Sequence, residues 1–384
     1  MKKYLNIYAD IRIFSIQKNI AKKDFVLVIP AFKESDEFIK NLIHIKQCIR
    51  GSILLVVVFN QPDDCSEDER VINQNCLSAL KSCQELEKTS TFEVVILGPY
   101  ELARSKGVGL ARKIGADFAL RLIEEKIIAT PIIFCSDADA LLPRDYFERA
   151  KKSFCKENSA YVYNFFHHRP ECQQHALAIE LYEQRLDAYV AGLSLAKSPY
   201  AFHSIGSTIA ISAEHYAMVR GFPPIAAGED FYILNKLKKT GHVRNLNGDP
   251  IILSARVSDR VAFGTGPAMA KILKSDPKSA PLFYDERVFE LLGQFLKEVE
   301  RALLDGDLEL NKVFSKEIEL AFEHVGASKI KKNLKQRKNE HDRLKSFHDY
   351  FDALRTLRFV HYLRDNYFPN RNFYDQRPLL SSRT

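Results

Sequence analysis

The 384-residue sequence has no tryptophan and only three methionines, and no stretch approaches the roughly 20 consecutive apolar residues that span a bilayer. Its longest apolar runs, Phe25 to Pro30 and Ile53 to Phe59, have the length of strands. The first twenty residues mix Lys, Asp, Arg and Asn among the apolar positions, so a signal-peptide core is missing. A soluble, cytoplasmic protein is expected, at most peripheral to a membrane. The seven cysteines are scattered, with no Cys-x-x-Cys pair and no Cys/His cluster at zinc spacing, so they read as reduced thiols. Pro30-Ala31-Phe32 follows the first strand without a glycine, and Gly107-Val108-Gly109 continues as Leu110-Ala111-Arg112. The Gly-x-Gly-x-x-Gly fingerprint of dinucleotide enzymes is therefore missing, and so is a P-loop. There is no internal repeat and no low-complexity segment.

What is present is enough for packed cores: 46% of residues are hydrophobic, and the length exceeds the roughly 250–300 residues at which a single core stops growing. The net charge of +7 is a mild excess that fits a nucleotide diphosphate or an anionic membrane surface. Nucleic acid is not an expected partner. Short β-rich runs alternate with amphipathic stretches over the first part of the chain. Strands are expected at Phe25 to Ile29, Ile53 to Phe59, Phe92 to Leu97 and Pro131 to Cys135. Helices are expected from about Ser35, over Glu67 to Glu87, and over Lys106 to Glu125, where Leu110, Ile114, Phe118 and Leu122 recur every fourth position. Continuous apolar strands separated by helices predict an α/β fold with a mostly parallel sheet covered on both faces.

Beyond residue 160, Ala160 to Phe165 and Gly206 to Ile211 read as strands, and Gln173 to Leu195 and Glu229 to Lys239 as helices. After about residue 283 the chain is charged and helical, including a long stretch from Ser328 to about Arg364. The expected division is an extension over 1–23, a catalytic domain over 24–282 and a helical region over 283–384.

Ligands of such sheets bind beyond the carboxyl ends of the strands. Three segments there carry chemistry. Phe134-Cys135-Ser136-Asp137-Ala138-Asp139 runs an apolar strand into two aspartates spaced i, i+2, whose hard oxygens suit Mn²⁺ or Mg²⁺. The alternative is that one of them only caps a helix beginning near Pro143. Gly228-Glu229-Asp230 opens a helix with adjacent acids, which reads either as helix-terminus charge complementarity or as a general base. Arg104-Ser105-Lys106-Gly107, continuing to Arg112, brings cations to a helix start, suited to phosphate or forming a solvated basic face. A further segment, Ser254 to Gly266, carries Arg256 and Arg260 and reads equally as an anion site or a structural turn.

Taken in order, these segments resemble the family-2 glycosyltransferases of the GT-A fold. Ile29-Pro30-Ala31-Phe32-Lys33-Glu34 looks like the family's opening motif, and Val219-Arg220-Gly221-Phe222 with Glu229-Asp230 looks like its acceptor-side segment. The resemblance spans roughly residues 24 to 270. It implies transfer of a sugar from a nucleotide-diphosphate donor to an acceptor hydroxyl, with inversion. It implies Asp137 and Asp139 as holders of Mn²⁺ or Mg²⁺, Asp230 as base with Glu229 beside it, and Lys106, Arg104 and Arg112 near the diphosphate. Pro30, Ala31, Phe32 and Glu34 would cradle the nucleotide. The loop after the second strand departs from the family's Asp-Asp-Gly-Ser, reading Asn60-Gln61-Pro62-Asp63-Asp64, so Asn60, Asp63 and Asp64 are candidates without a fixed register. The family's processive Gln-x-x-Arg-Trp signature cannot occur without tryptophan, which favours single addition. The competing readings are a sugar-nucleotidyltransferase and a catalytically silent nucleotide-sugar sensor with a partner-binding helical tail.

Overall fold

The apolar runs form the centre of one sheet, and everything that positions the candidate site follows from that. The computed structural model describes residues 1–16, 19–255, 265–274, 276–308, 310, 314–337 and 339–375. In chain order the first elements are α1 (Lys2–Ile7), β1 (Phe25–Ala31), α2 (Asp36–Cys48), β2 (Ile53–Pro62), α3 (Glu67–Ser82), β3 (Phe92–Leu102) and α4 (Gly107–Glu124). Then come β4 (Ile132–Cys135), α5 (Tyr146–Lys152), β5 (Asn158–His167), α6 (Gln173–Leu195), β6 (Ile209–Ser212), α7 (Ala213–Met218), α8 (Glu229–Lys238) and β7 (His242–Leu253). The helices that follow are α9 (Thr265–Ile272), α10 (Arg287–Leu304), α11 (Lys316–His324), α12 (Ala327–Lys335), α13 (Glu340–Tyr350) and α14 (Ala353–Asn366).

The chain divides into two compact units, Met1–His168 with Ser204–Gly264, and Arg169–His203 with Thr265–Thr384. The first unit holds a seven-stranded sheet in the order β3-β2-β1-β4-β6-β5-β7. The pairs β3·β2, β2·β1, β1·β4 and β5·β7 are parallel, and β6 runs antiparallel to both its neighbours. The α/β, mostly parallel architecture is thus the one the apolar strands predict. Every residue of β1 is buried, as a strand covered on both faces requires. Helix α4 lies close on the sheet because Gly115 has no side chain. A Cβ there would sit 2.4 Å from Cγ1 of Val28 and 2.9 Å from Cγ2 of Val58.

The second unit is helical. Its core centres on Phe295 of α10, with the rings of Phe322, Phe347, Phe351 and Phe359 at 4.9–6.1 Å between centroids. The helical stretch from Ser328 to Arg364 is three helices rather than one. Asn339 caps α13 by accepting from the Asp342 N–H at 2.8 Å, and Asp352 caps α14 by accepting from the Arg355 N–H at 3.2 Å. Among the described residues no helix is long and apolar enough to cross a membrane.

Candidate functional site

The parallel strands β1 to β4 end at one edge of the sheet. Because β6 is antiparallel, its start lies there too, with Ile209 paired to Cys135. Asp137 leaves the end of β4 at this edge, and Gly206 stands just before β6. Glu229 and Asp230 open α8, after Gly228 takes a left-handed conformation at φ +78°. The Arg112 guanidinium joins these pieces. Its Nη2 donates to Oδ1 of Asp137 at 2.8 Å, its Nε to Oε1 of Glu229 at 3.1 Å, and its Nη1 to the Gly206 carbonyl at 3.2 Å.

Arg112 and Lys113 are buried, so the basic stretch of α4 is not a solvated face, whereas Arg104 and Lys106 are exposed. The start of α4 is pressed against the loop leading to Glu229. Gly109 N–H donates to the Ile225 carbonyl at 3.1 Å, and a Cβ on Gly109 would lie 2.5 Å from that oxygen and 2.6 Å from the Pro223 oxygen. The amides of Lys106 and Gly107 donate to the Ala103 carbonyl. What this helix start offers a phosphate is therefore chiefly the side chains of Lys106 and Arg104.

The electrostatics separate the acids. Burial, then the charge of Glu229, pushes the Asp230 carboxyl up to about 7, with Asp137 adding in the same direction. The Phe231 N–H, donating to Oδ1 of Asp230 at 2.6 Å, and the Arg112 charge pull the other way. Burial opposes the charge on Arg112, but the carboxylates of Asp137 and Glu229 outweigh it, so its proton is held more firmly than usual. Burial also pushes the neighbouring Cys135 thiol up to about 12, which leaves it unreactive.

The Asp137–Asp139 turn is held from three sides. Asn41 of α2 donates to the Ala138 carbonyl at 3.1 Å, Tyr146 to the Cys135 carbonyl at 3.2 Å, and a His44 ring nitrogen lies 3.2 Å from the Leu142 oxygen. Neither aspartate is a helix cap: α5 starts at Tyr146, and its N-cap is Asp145. The side chain of Asp137 keeps 39% of its surface exposed while one oxygen meets Arg112. Two hard carboxylates at a strand end fit Mn²⁺ or Mg²⁺. Among the described residues no group of three or more His, Cys, Asp or Glu is placed to hold a metal alone. A cation here would take further ligands from a bound diphosphate and water.

Pro30 and Ala31 are buried in β1, while Phe32 and Glu34 are half-buried in the loop beyond it. Asn60 is a buried strut between strand ends, its Nδ2 donating to the Ala31 carbonyl at 3.2 Å. Its own carbonyl accepts from Nδ2 of Asn73 at 3.2 Å, a residue that had no signal in the sequence. Asp63 is exposed, and Asp64 forms an exposed ion pair with Arg104 at 2.9 Å. Arg256 and Arg260 lie outside the described residues. Gly206, which completes the coordination of Arg112, also had no signal, because a backbone carbonyl leaves no mark in sequence.

No protein-family model matches the sequence, and no curated protein sequence matches it. Among solved structures, the chain is similar to S. aureus TarS 1-349 in complex with UDP-GlcNAc, at 12% identity. That match covers 89% of this chain and 91% of that one, with a TM-score of 0.42. It is also similar to the mannosyltransferase PcManGT from Pyrobaculum calidifontis in complex with GDP-Man and Mn²⁺, at 15% identity. There the match covers 92% of each chain, with a TM-score of 0.37. Likenesses this distant assign neither a substrate nor a site residue.

Proposed function

We propose that the chain is a metal-dependent glycosyltransferase of the GT-A type, moving one sugar per encounter from a nucleotide-diphosphate sugar to an acceptor hydroxyl with inversion. The observation that carries this reading is the pairing of two unlike acids at the ligand-binding edge of the sheet. Asp137 is anchored by Arg112 and partly open. Asp230 is half-buried, its carboxyl raised to about 7, and so matched to taking a proton near neutral pH.

In this mechanism the Asp230 carboxylate accepts the acceptor's hydroxyl proton as that oxygen attacks the anomeric carbon. The bond from that carbon to the diphosphate breaks, and its electron pair leaves with the nucleoside diphosphate. Arg112 fixes Asp137 and Glu229 and so sets where Asp230 points. Lys106 and Arg104 approach the phosphates, Arg104 by exchanging its exposed bond to Asp64. Pro30 to Glu34, with the Asn60 strut and Asp63, form the floor for the nucleoside. A divalent cation held by Asp137 and Asp139 would offset charge developing on the leaving diphosphate.

The test is a transfer assay on the purified chain with Asp230→Asn beside the natural sequence. Loss of turnover with unchanged nucleotide binding supports the base. Retained turnover removes it.

A further inference from the structure

The first sixteen residues are pinned to the first unit on one side and present large apolar side chains on the other. On the inner side, Tyr4 donates to Oδ1 of Asp117 at 2.5 Å, and the Asp10 N–H to its Oδ2 at 2.8 Å. Lys113 Nζ donates to Tyr4 Oη at 2.6 Å and to Asp117 at 2.9 Å. Tyr216 of α7 adds a bond to Asp117 at 2.7 Å, and Arg121 holds the Ile13 and Ile16 carbonyls. Asp117 is fully buried, as is Ile13. This segment is therefore fixed in place, not a fraying end.

Ile7, the last residue of α1, is 59% exposed, and Ile11 and Phe14, in the 3-10 turn Ile11–Ser15 that follows, are 82% and 49% exposed, with Met1 and Tyr8 exposed as well. Five of the sixteen large apolar residues exposed among the described residues thus fall within the first fourteen positions. Single exposed apolar residues are ordinary, but such a concentration is not.

The surroundings are cationic. Residues 1–16 carry Lys2, Lys3 and Arg12 against Asp10, a net charge of +2. Lys2 and Lys3 are exposed. The Arg220 guanidinium lies 4.6 Å from the centre of the Tyr8 ring, and the exposed Met218 is two residues before it.

From this arrangement we infer that the outer face of residues 1–16, led by Ile7, Ile11 and Phe14 with Lys2 and Lys3, is a peripheral docking surface for an anionic lipid membrane. Apolar side chains of this size enter the headgroup boundary while the flanking cations meet anionic lipid. A second copy of the chain is a poor occupant, because a two-fold contact would set the same basic surface against itself. The inference is independent of the proposed activity.

The test is flotation of the full chain with vesicles of phosphatidylcholine alone and of phosphatidylcholine mixed with phosphatidylglycerol. The expected result is binding to the mixed vesicles, weak binding to the neutral ones, and release by salt. Ile11→Asp and Phe14→Ser should each weaken binding by about tenfold, as loss of one buried large apolar side chain implies. The double variant Lys2→Glu, Lys3→Glu should also weaken it, while Val71→Asp, an exposed apolar position on α3, should not. Thermal melting of every variant checks that the fold is intact, and Ile7→Ser replaces any that melts early. No binding to the mixed vesicles overturns the inference, and so does undiminished binding by the Ile11, Phe14 and Ile7 variants. Equal binding to neutral vesicles also overturns it, as does a dimer in solution that Ile11→Asp splits, which would identify a second copy as the occupant.

Discussion

At the scale of single residues the proposed reaction turns on Asp230, positioned through Arg112, and the two make opposite predictions for stability. If Asp230 is the base, Asp230→Asn should lower kcat by about 10²–10⁴-fold, with donor binding kept, in steady-state assays and nucleotide titrations. Activity should rise with pH through about 7 as this carboxyl loses its proton, and the variant should lack that limb. The sign for stability is the reverse. A folded-state pKa raised from 3.8 to about 7 contributes stability that is full below 3.8 and is lost as pH rises through about 7. Asp230→Asn should therefore flatten that loss in denaturant titrations made below and above this window. Arg112→Ala does the opposite, because it leaves Glu229 buried without its cation. The cost should be roughly 3–5 kcal/mol, toward the lower end since Asp137 is partly open to water, and Arg112→Lys should cost less. Chemical denaturation measures both.

At the scale of elements, α4 is the part that ties the site together. Gly109→Ala would push a methyl group into the Pro223 and Ile225 carbonyl oxygens, moving the loop that delivers Glu229 and Asp230. The expected loss is about 1–3 kcal/mol of stability with a clear fall in kcat, read from melting and turnover on the same sample. Asp117→Ala would leave the buried Lys113 without its carboxylate and two tyrosine hydroxyls without their acceptor. The expected cost is roughly 3–5 kcal/mol, measured by denaturant unfolding. The strands β1 to β6 and the Asp137–Asp139 turn were legible in the sequence, because an apolar run ending in polar residues is a local signal, whereas β7 was not, its first nine residues being mostly exposed and polar. The inward role of Arg112 was not. Its partners lie 25 and 117 residues away, and α4 is buried on most of its surface, so its period does not distinguish a solvated cation from a buried one. The network of Tyr4, Asp117 and Tyr216 was hidden for the same reason, since it joins residues from three distant segments.

At the scale of the whole molecule, the chain comprises an α/β unit, which holds every candidate site residue within the described segments, and a helical unit. Its sheet was predictable because continuous apolar strands can be covered only by helices on both faces. The course of the chain was less so. Residues 169–203 leave the sequence of the α/β unit to join the helical one, and nothing in their composition marks that exit. The central claim is that the sheet edge around Asp137, Asp139 and Asp230 acts on a nucleotide-diphosphate sugar. The most direct test is to incubate the purified chain with UDP-, GDP- and dTDP-sugars, with Mn²⁺ or with EDTA, and to record released nucleoside diphosphate. Metal-dependent release from one donor, lost in Asp139→Ala, is the result the account predicts. Silence across the panel together with no metal-dependent nucleotide binding would contradict it.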